Sequence, residues 1–322
     1  MSIIRSIAKR DSGAIRSLYF QLFVVVLAFV LMVVSSSLYV SNMLRNHLRG
    51  DAMDLLNQTK LRIEADLIEP EATLAAISNT IRNMILNGDG EDAVLGYIQD
   101  AADVLQNKTS GFKFYGLYGY FDVFGGRYLF SNWDPPEDFE PTDRPWYKAG
   151  IEAGDRVALT PIYKSPSVND YIVTYVHRIF NKENQPLGIV GLNMPLDGIK
   201  NAVANMRLTE SSYGIFANEN LDIFHHYDPA FIGKNAHEIG GNFAVCADEL
   251  EATGALFERE VVNNKGELAV VFSTRLKNGW FLFTVTPKAE YYRELRDMQL
   301  MLGILGAFLA AALIIVLIRV NL

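Results

Sequence analysis

Two uncharged apolar blocks, one near each end, constrain this chain more than any other feature in it. Residues 18–40 (LYFQLFVVVLAFVLMVVSSSLYV) and 300–318 (LMLGILGAFLAAALIIVLI) contain no Asp, Glu, Lys or Arg. At a rise of about 1.5 Å per helical residue, each block is long enough to cross the hydrocarbon core of a bilayer. A secretory signal is shorter, with an apolar core of roughly 7–15 residues ending at a small-x-small site. Ser35, Ser36 and Ser37 resemble part of such a site, but Leu38, Tyr39 and Val40 continue the apolar run, so a retained span is the reading. The second block ends against Arg319 and reads as a second crossing.

The flanks orient the chain. Arg5, Lys9, Arg10 and Arg16 stand against a single Asp11 before the first block, and positive short flanks stay on the cytoplasmic side. Residues 1–17 are then a cytoplasmic flank, residues 41–299 lie outside the inner membrane, and 319–322 form a cytoplasmic stub with no output domain. Removing the inner flank's four cations and one anion, and Arg319, from the formal net charge of −8 leaves −12 for the outer part. Such a surface repels nucleic acid, so no nucleic-acid partner is expected. Cys246 is the sole cysteine, so no internal disulfide can staple the outer part, and the residue reads as a small buried apolar group.

Within the outer part, residues 41–87 carry Leu44, Leu48, Leu55, Leu56, Ile63, Leu67, Leu74, Ile77, Ile81, Met84 and Ile85 at broadly helical spacings. This is a long stalk helix, bent or broken at Pro70, whose stripe packs either on its own domain or on a second copy. A short helix is expected over 91–106. The stretch FKFYGLYGYFDVFGGRYLFSNW is rich in aromatic residues and broken by glycines, which predicts paired strands around a Gly125-Gly126 turn. A loop at 134–143, a helix at 144–154 and strands at 157–163, 170–180 and 187–194 complete a first module over 88–195. A second module over 196–287 has a helix at 196–206 and strands at 213–217, 221–225, 255–262, 268–276 and 280–286. A charged connecting helix over 288–299 leads without a linker into the second span. The fold class is α+β: a long N-terminal helix and two stacked mixed-sheet, PAS-like modules between two transmembrane helices.

This order of elements resembles the double Cache sensor, the extracytoplasmic domain of many bacterial chemoreceptors, sensor histidine kinases and diguanylate cyclases. The resemblance is carried by Arg144-Pro145-Trp146-Tyr147, by Tyr163 and by GIVGLNMPL at 188–196. It implies a ligand site in the membrane-distal module. In amino-acid-binding members the arginine and tryptophan of this motif hold the ligand carboxylate, and a later tyrosine and an aspartate hold its ammonium. Carried over, Arg144 and Trp146 form the carboxylate end, with Tyr147 beside them and Tyr163 across the site. Two positions depart from that pattern: Phe139 stands where those members have a tyrosine, and Asn193 where they have the aspartate. The departures turn the expectation from a standard α-amino acid toward a small carboxylate, hydroxy acid or heterocycle, with amino-acid-like ligands as the family background.

No GxSxG elbow, HExxH helix or P-loop occurs in the sequence, so no catalytic residue, metal or cofactor is expected. Asp222, His225, His226 and Asp228 form one cluster with metal-ligand chemistry, although adjacent histidines on a strand face opposite ways. Two function classes follow. One is a homodimeric receptor that senses a small ligand outside the membrane and passes a helix displacement to an output module. The other is a membrane-anchored scaffold that binds a partner and no small molecule.

Overall fold

The computed structural model describes residues 2–107, 113–240 and 243–321. Phe112, Asn242 and Leu322, which fall in segments discussed above, lie outside the described residues. Helix α1 runs from Ser2 to Leu86, so the first apolar block and the stalk are one element. Pro70 is buried inside it and does not divide it. Next to the Asp66 carbonyl, which Pro70 leaves without its helical donor, the Tyr175 hydroxyl donates to the Leu67 carbonyl at 2.6 Å. Helix α2 (Glu91–Gln106) packs back toward α1 through Val94, Ile98 and Ala102.

The first module holds β1 (Gly116–Phe121), β2 (Arg127–Phe130), α3 (Pro145–Ala153), β3 (Val157–Leu159), β4 (Tyr163–Lys164), β5 (Tyr171–Phe180) and β6 (Pro186–Pro195). Its strands lie in the order β2-β1-β6-β5-β3, with β4 also on β5. The strand expected over 157–163 is split because Pro161 has no N–H to give to the ladder. Helix α4 (Asp197–Ala204) leads to the second module, where β7 (Tyr213–Ala217), β8 (Ile223–His225), β9 (Leu256–Val262), β10 (Leu268–Arg275) and β11 (Phe281–Pro287) lie in the order β8-β7-β11-β10-β9. Both sheets are antiparallel in every described pairing rather than mixed. Tight turns join β1 to β2, β5 to β6, and β10 to both its neighbours, and a tight turn can only reverse the strand.

An element absent from the sequence reading is α5 (Phe243–Thr253). Phe243, Cys246, Ala247 and Leu250 recur at i, i+3, i+4 and i+7, are all buried, and seal the outer face of the second sheet against Phe283 and Val285. Burial also pushes the Cys246 thiol up to about 11, away from thiolate chemistry. The connecting segment is α6 (Lys288–Tyr291) followed by α7 (Arg293–Asn321), broken at the single residue Tyr292. Its hydroxyl donates to Glu258 at 2.8 Å, and Arg49 of α1 lies 3.4 Å from the same carboxylate.

One apolar core joins these parts. Leu56, Ile63, Leu74 and Ile81 of α1 are fully buried in a cluster that includes Val173 and Leu192 of the first sheet and Phe216, Val270 and Leu282 of the second. The stalk stripe therefore packs on its own chain. Beyond the core, α1 and α7 continue as helices long and apolar enough to cross a membrane, within Phe23–Leu86 and Arg293–Val316. They lie together: Gly306 faces Val33, and Gln299 donates to Ser41 Oγ at 2.9 Å.

We expect Leu74→Ala to destabilise the chain by about 2–5 kcal/mol, because it leaves a cavity in the apolar core that α1 closes. Leu61→Ala, on the exposed face of the same helix, should change stability by less than about 0.5 kcal/mol. Thermal unfolding of the detergent-solubilised chain distinguishes these outcomes.

Candidate ligand-binding site

The first sheet has two unlike faces, and the strand period sorts them. Along β1, Leu117 and Phe121 enter the core against the helices, while Tyr118 and Tyr120 point the other way. Along β5, Val173 and Tyr175 face the helices, and Thr174 and Val176 face away; on β6, Asn193 shares the side of Tyr118 and Thr174. Glycines make room for rings on this second face. A Cβ on Gly191 would stand 2.7 Å from the Tyr118 ring, and one on Gly116 would stand 2.5 Å from Phe130.

Over this face lies α3. Pro145 takes its first turn, and the residue before a proline is confined to extended backbone, as Arg144 is at φ −78°, ψ 148°. Trp146 then points to the sheet, packing edge-on against Tyr118 at 5.0 Å and stacking on Tyr128 at 6.0 Å. Gly150, one turn later, lets the helix settle on Ile189, where a Cβ would come within 2.8 Å. The loop before α3 closes the end. Phe139 meets Trp133 at 4.9 Å and Tyr128 at 5.3 Å, and the Arg144 guanidinium lies over the Phe139 ring at 5.7 Å.

These elements line a narrow cleft with a void of about 10 Å³, roughly the room of one water molecule. Phe139, Arg144, Trp146, Tyr163 and Asn193, all singled out in the sequence, line it. Tyr147 does not. Successive helical residues point about 100° apart, so with Trp146 turned inward Tyr147 turns aside and packs on Tyr120 at 5.3 Å. Tyr118, Tyr128, Phe130 and Trp133, together with Ser165 and Ser167 from the β4–β5 loop, also line the cavity and were missed. The signal for three of them was present, since Tyr118, Tyr128 and Phe130 alternate with the core residues Leu117 and Leu129.

The electrostatics are one-sided. Arg144 carries the only charge in the lining, and among the described residues its guanidinium has no ion pair or hydrogen bond. Four hydroxyl and amide groups form a chain on the cavity floor. Tyr163 bonds to Thr174 at 2.7 Å, Thr174 donates to Asn193 Oδ1 at 2.7 Å, and Tyr118 donates to the same oxygen at 2.9 Å. Burial raises the phenols of Tyr118, Tyr128 and Tyr163, that of Tyr118 well above its usual value, while the hydrogen bond with Thr174 draws Tyr163 partly back and the Arg144 charge does so for Tyr128 and, less, Tyr163. The tyrosines thus keep their protons and act as donors.

The histidine cluster builds no comparable site. His226 accepts from the Asp228 N–H at 3.0 Å, Asp222 is held by Asn218 and Asn235, and no grouping of three metal-binding side chains occurs among the described residues. Burial lowers the His226 imidazole to about 4. Below about pH 6.5 the unfolded chain takes up a proton that folded His226 refuses, so stability is lost as pH falls from about 6.5 toward 4. Thermal unfolding across that window should show the loss, with a shallower slope for His226→Asn, which retains an acceptor for the Asp228 N–H.

Comparison with known proteins follows the same outline. The chain is 27% identical over 147 residues to the methyl-accepting chemotaxis protein McpC of Bacillus subtilis, covering 46% of this chain and 20% of that protein. It is 22% identical over 284 residues to McpA of the same organism, covering 87% of this chain and 40% of that protein. The chain thus spans well under half the length of these relatives. The ligand-binding domain of the Pseudomonas aeruginosa amino acid chemoreceptor PctB, in complex with L-Arg, superposes with a TM-score of 0.61 at 16% identity, over 77% of this chain and 98% of that one. The ligand-binding domain of the Campylobacter jejuni chemoreceptor Tlp3, in complex with L-valine, gives 0.61 at 14% identity, over 79% and 98%. The Cache domain family itself matches residues 40–295, from the end of the first apolar block through both sheets to the start of α7, and this chain belongs to that family.

Proposed function

We propose that this chain is the sensing part of a transmembrane receptor of the chemotaxis type, binding a small carboxylate in the cavity of its first module. The observation that carries the reading is Arg144: a guanidinium without an acidic partner among the described residues, set at the rim of an aromatic cavity. A guanidinium offers a planar donor fork that matches a carboxylate. Rings on several sides exclude water and strengthen that pair. In this reading Arg144 and Trp146 hold the carboxylate, Tyr163 and Asn193 meet the opposite end, and Phe139 closes the mouth. The closed cavity requires the segment bearing Trp133 and Phe139 to shift for a ligand to enter.

The relatives' names and the two apolar helices support the rest. Residues 18–40 and 300–318 are taken as the spans, with the N-terminus in the cytoplasm and both modules outside, and with output through a domain on the cytoplasmic side. Transmission has a physical route. Strand β5 places Thr174 on the cavity floor, and its next residue, Tyr175, donates to Leu67 of α1 on the opposite face. His177 of the same strand meets Ser78 of α1 at 2.5 Å, and Arg82 of α1 donates to the Phe180 carbonyl at 2.6 Å. A ligand that favours one arrangement of this floor biases the position of α1, and it does so only by its difference in affinity between the arrangements.

The test is thermal unfolding of the full chain in nanodiscs against amino acids, small carboxylates, amines and purines, with Arg144→Ala alongside. A carboxylate should stabilise the chain. Its affinity should fall roughly tenfold to a hundredfold in the variant. Stabilisation unaffected by the variant would remove Arg144 from the site, and none by any class would return the partner-binding reading.

A further inference from the structure

The floor of the cavity specifies what the carboxylate's neighbour must be. Asn193 is 3% exposed, and its side-chain oxygen is occupied twice, by the hydroxyls of Tyr118 and Thr174. In this orientation the amide oxygen is the common acceptor of the two hydroxyl protons. Thr174 is held in place independently, by its own N–H donating to Thr160 Oγ1 at 2.9 Å. The side-chain nitrogen of Asn193 is thus left facing the cavity, with no hydrogen-bond partner among the described residues.

The guanidinium and the amide that face the cavity are both donors. At one end is the Arg144 guanidinium, at the floor an amide N–H₂, and the lining contains no Asp or Glu. An ammonium here would meet donors at the floor and a like charge at the rim. It would also lose its hydration without gaining an anionic partner. A hydroxyl or carbonyl oxygen would accept the Asn193 N–H bond.

We propose that the cavity selects carboxylates whose adjacent carbon bears a hydroxyl or oxo group, and rejects those bearing an α-ammonium, because Asn193 presents a donor at that position. This rests on the reading of Arg144 as the carboxylate anchor. The specificity-determining residue is Asn193, held in its donating orientation by Tyr118 and Thr174.

Calorimetric titration of the full chain in nanodiscs with two matched series tests it. One is L-alanine, L-lactate and pyruvate; the other is L-leucine with its 2-hydroxy and 2-oxo counterparts. Each series holds the carboxylate and carbon skeleton constant and changes only the group at issue. A hydroxy or oxo acid should bind roughly tenfold or more tightly than the amino acid of the same skeleton. Asn193→Asp, which keeps the acceptor for Tyr118 and Thr174 and adds a negative charge, should reverse that order. An amino acid binding the wild-type chain as tightly as its oxygen counterparts, with binding lost in Arg144→Ala, would overturn the selectivity and leave the anchor standing. No binding by either series would overturn both. The wild-type comparison decides the matter even where a variant fails to fold.

Discussion

The burial of one stripe of α1 against both sheets is the interaction on which the rest of the structure depends. Leu56, Ile63, Leu74 and Ile81 are each fully buried, and a fully buried aliphatic side chain contributes about 1.5–3 kcal/mol. Because the same cluster reaches the first sheet through Val173 and Leu192 and the second through Phe216 and Leu282, neither module has a separate core on this side. The helix that organises both sheets also continues into the first apolar block. A change in how the first sheet sits on α1 is therefore a change in an element that extends into that block.

A second constraint is polarity inside the cavity. The sheet face away from α1 is built from rings that cannot neutralise a charge, with one arginine at the rim and one amide at the floor. Hydroxyl protons from Tyr118 and Thr174 converge on a single acceptor, and this fixes which end of the amide remains available. The identity of residue 193 thus acts through its neighbours. The same Asn beside apolar side chains would be free to turn either end toward a ligand.

Much of the fold was legible because its signals are local. The apolar blocks, the Gly125-Gly126 turn and the hairpin strands follow from length, composition and alternation. Other features rest on tertiary contacts. Of the bend or break that Pro70 suggested, the break does not occur, and burial of the helix on both sides of it holds one continuous element. Helix α5 was passed over although its four core residues show helical spacing, because the surrounding sequence is irregular and the segment is short. Tyr147 was grouped with Trp146 because they are adjacent in sequence, but adjacency on a helix separates side chains instead of joining them.

By itself the sequence determined the two apolar helices, the aromatic density of the first sheet, the extended backbone at Arg144 before Pro145, and the substitution of an amide for an acid at position 193. These depend on residue type and nearest neighbours. Tertiary structure alone decided that Tyr118, Tyr128 and Trp146 form one wall, that Ser165 and Ser167 reach the same cavity, and that the Asn193 side-chain oxygen accepts from both Tyr118 and Thr174. Those outcomes depend on register across β1, β6 and β5, where residues far apart in the chain are brought within hydrogen-bond distance. A hydrogen-bond direction belongs to the whole network of partners, and no single stretch of sequence contains that network.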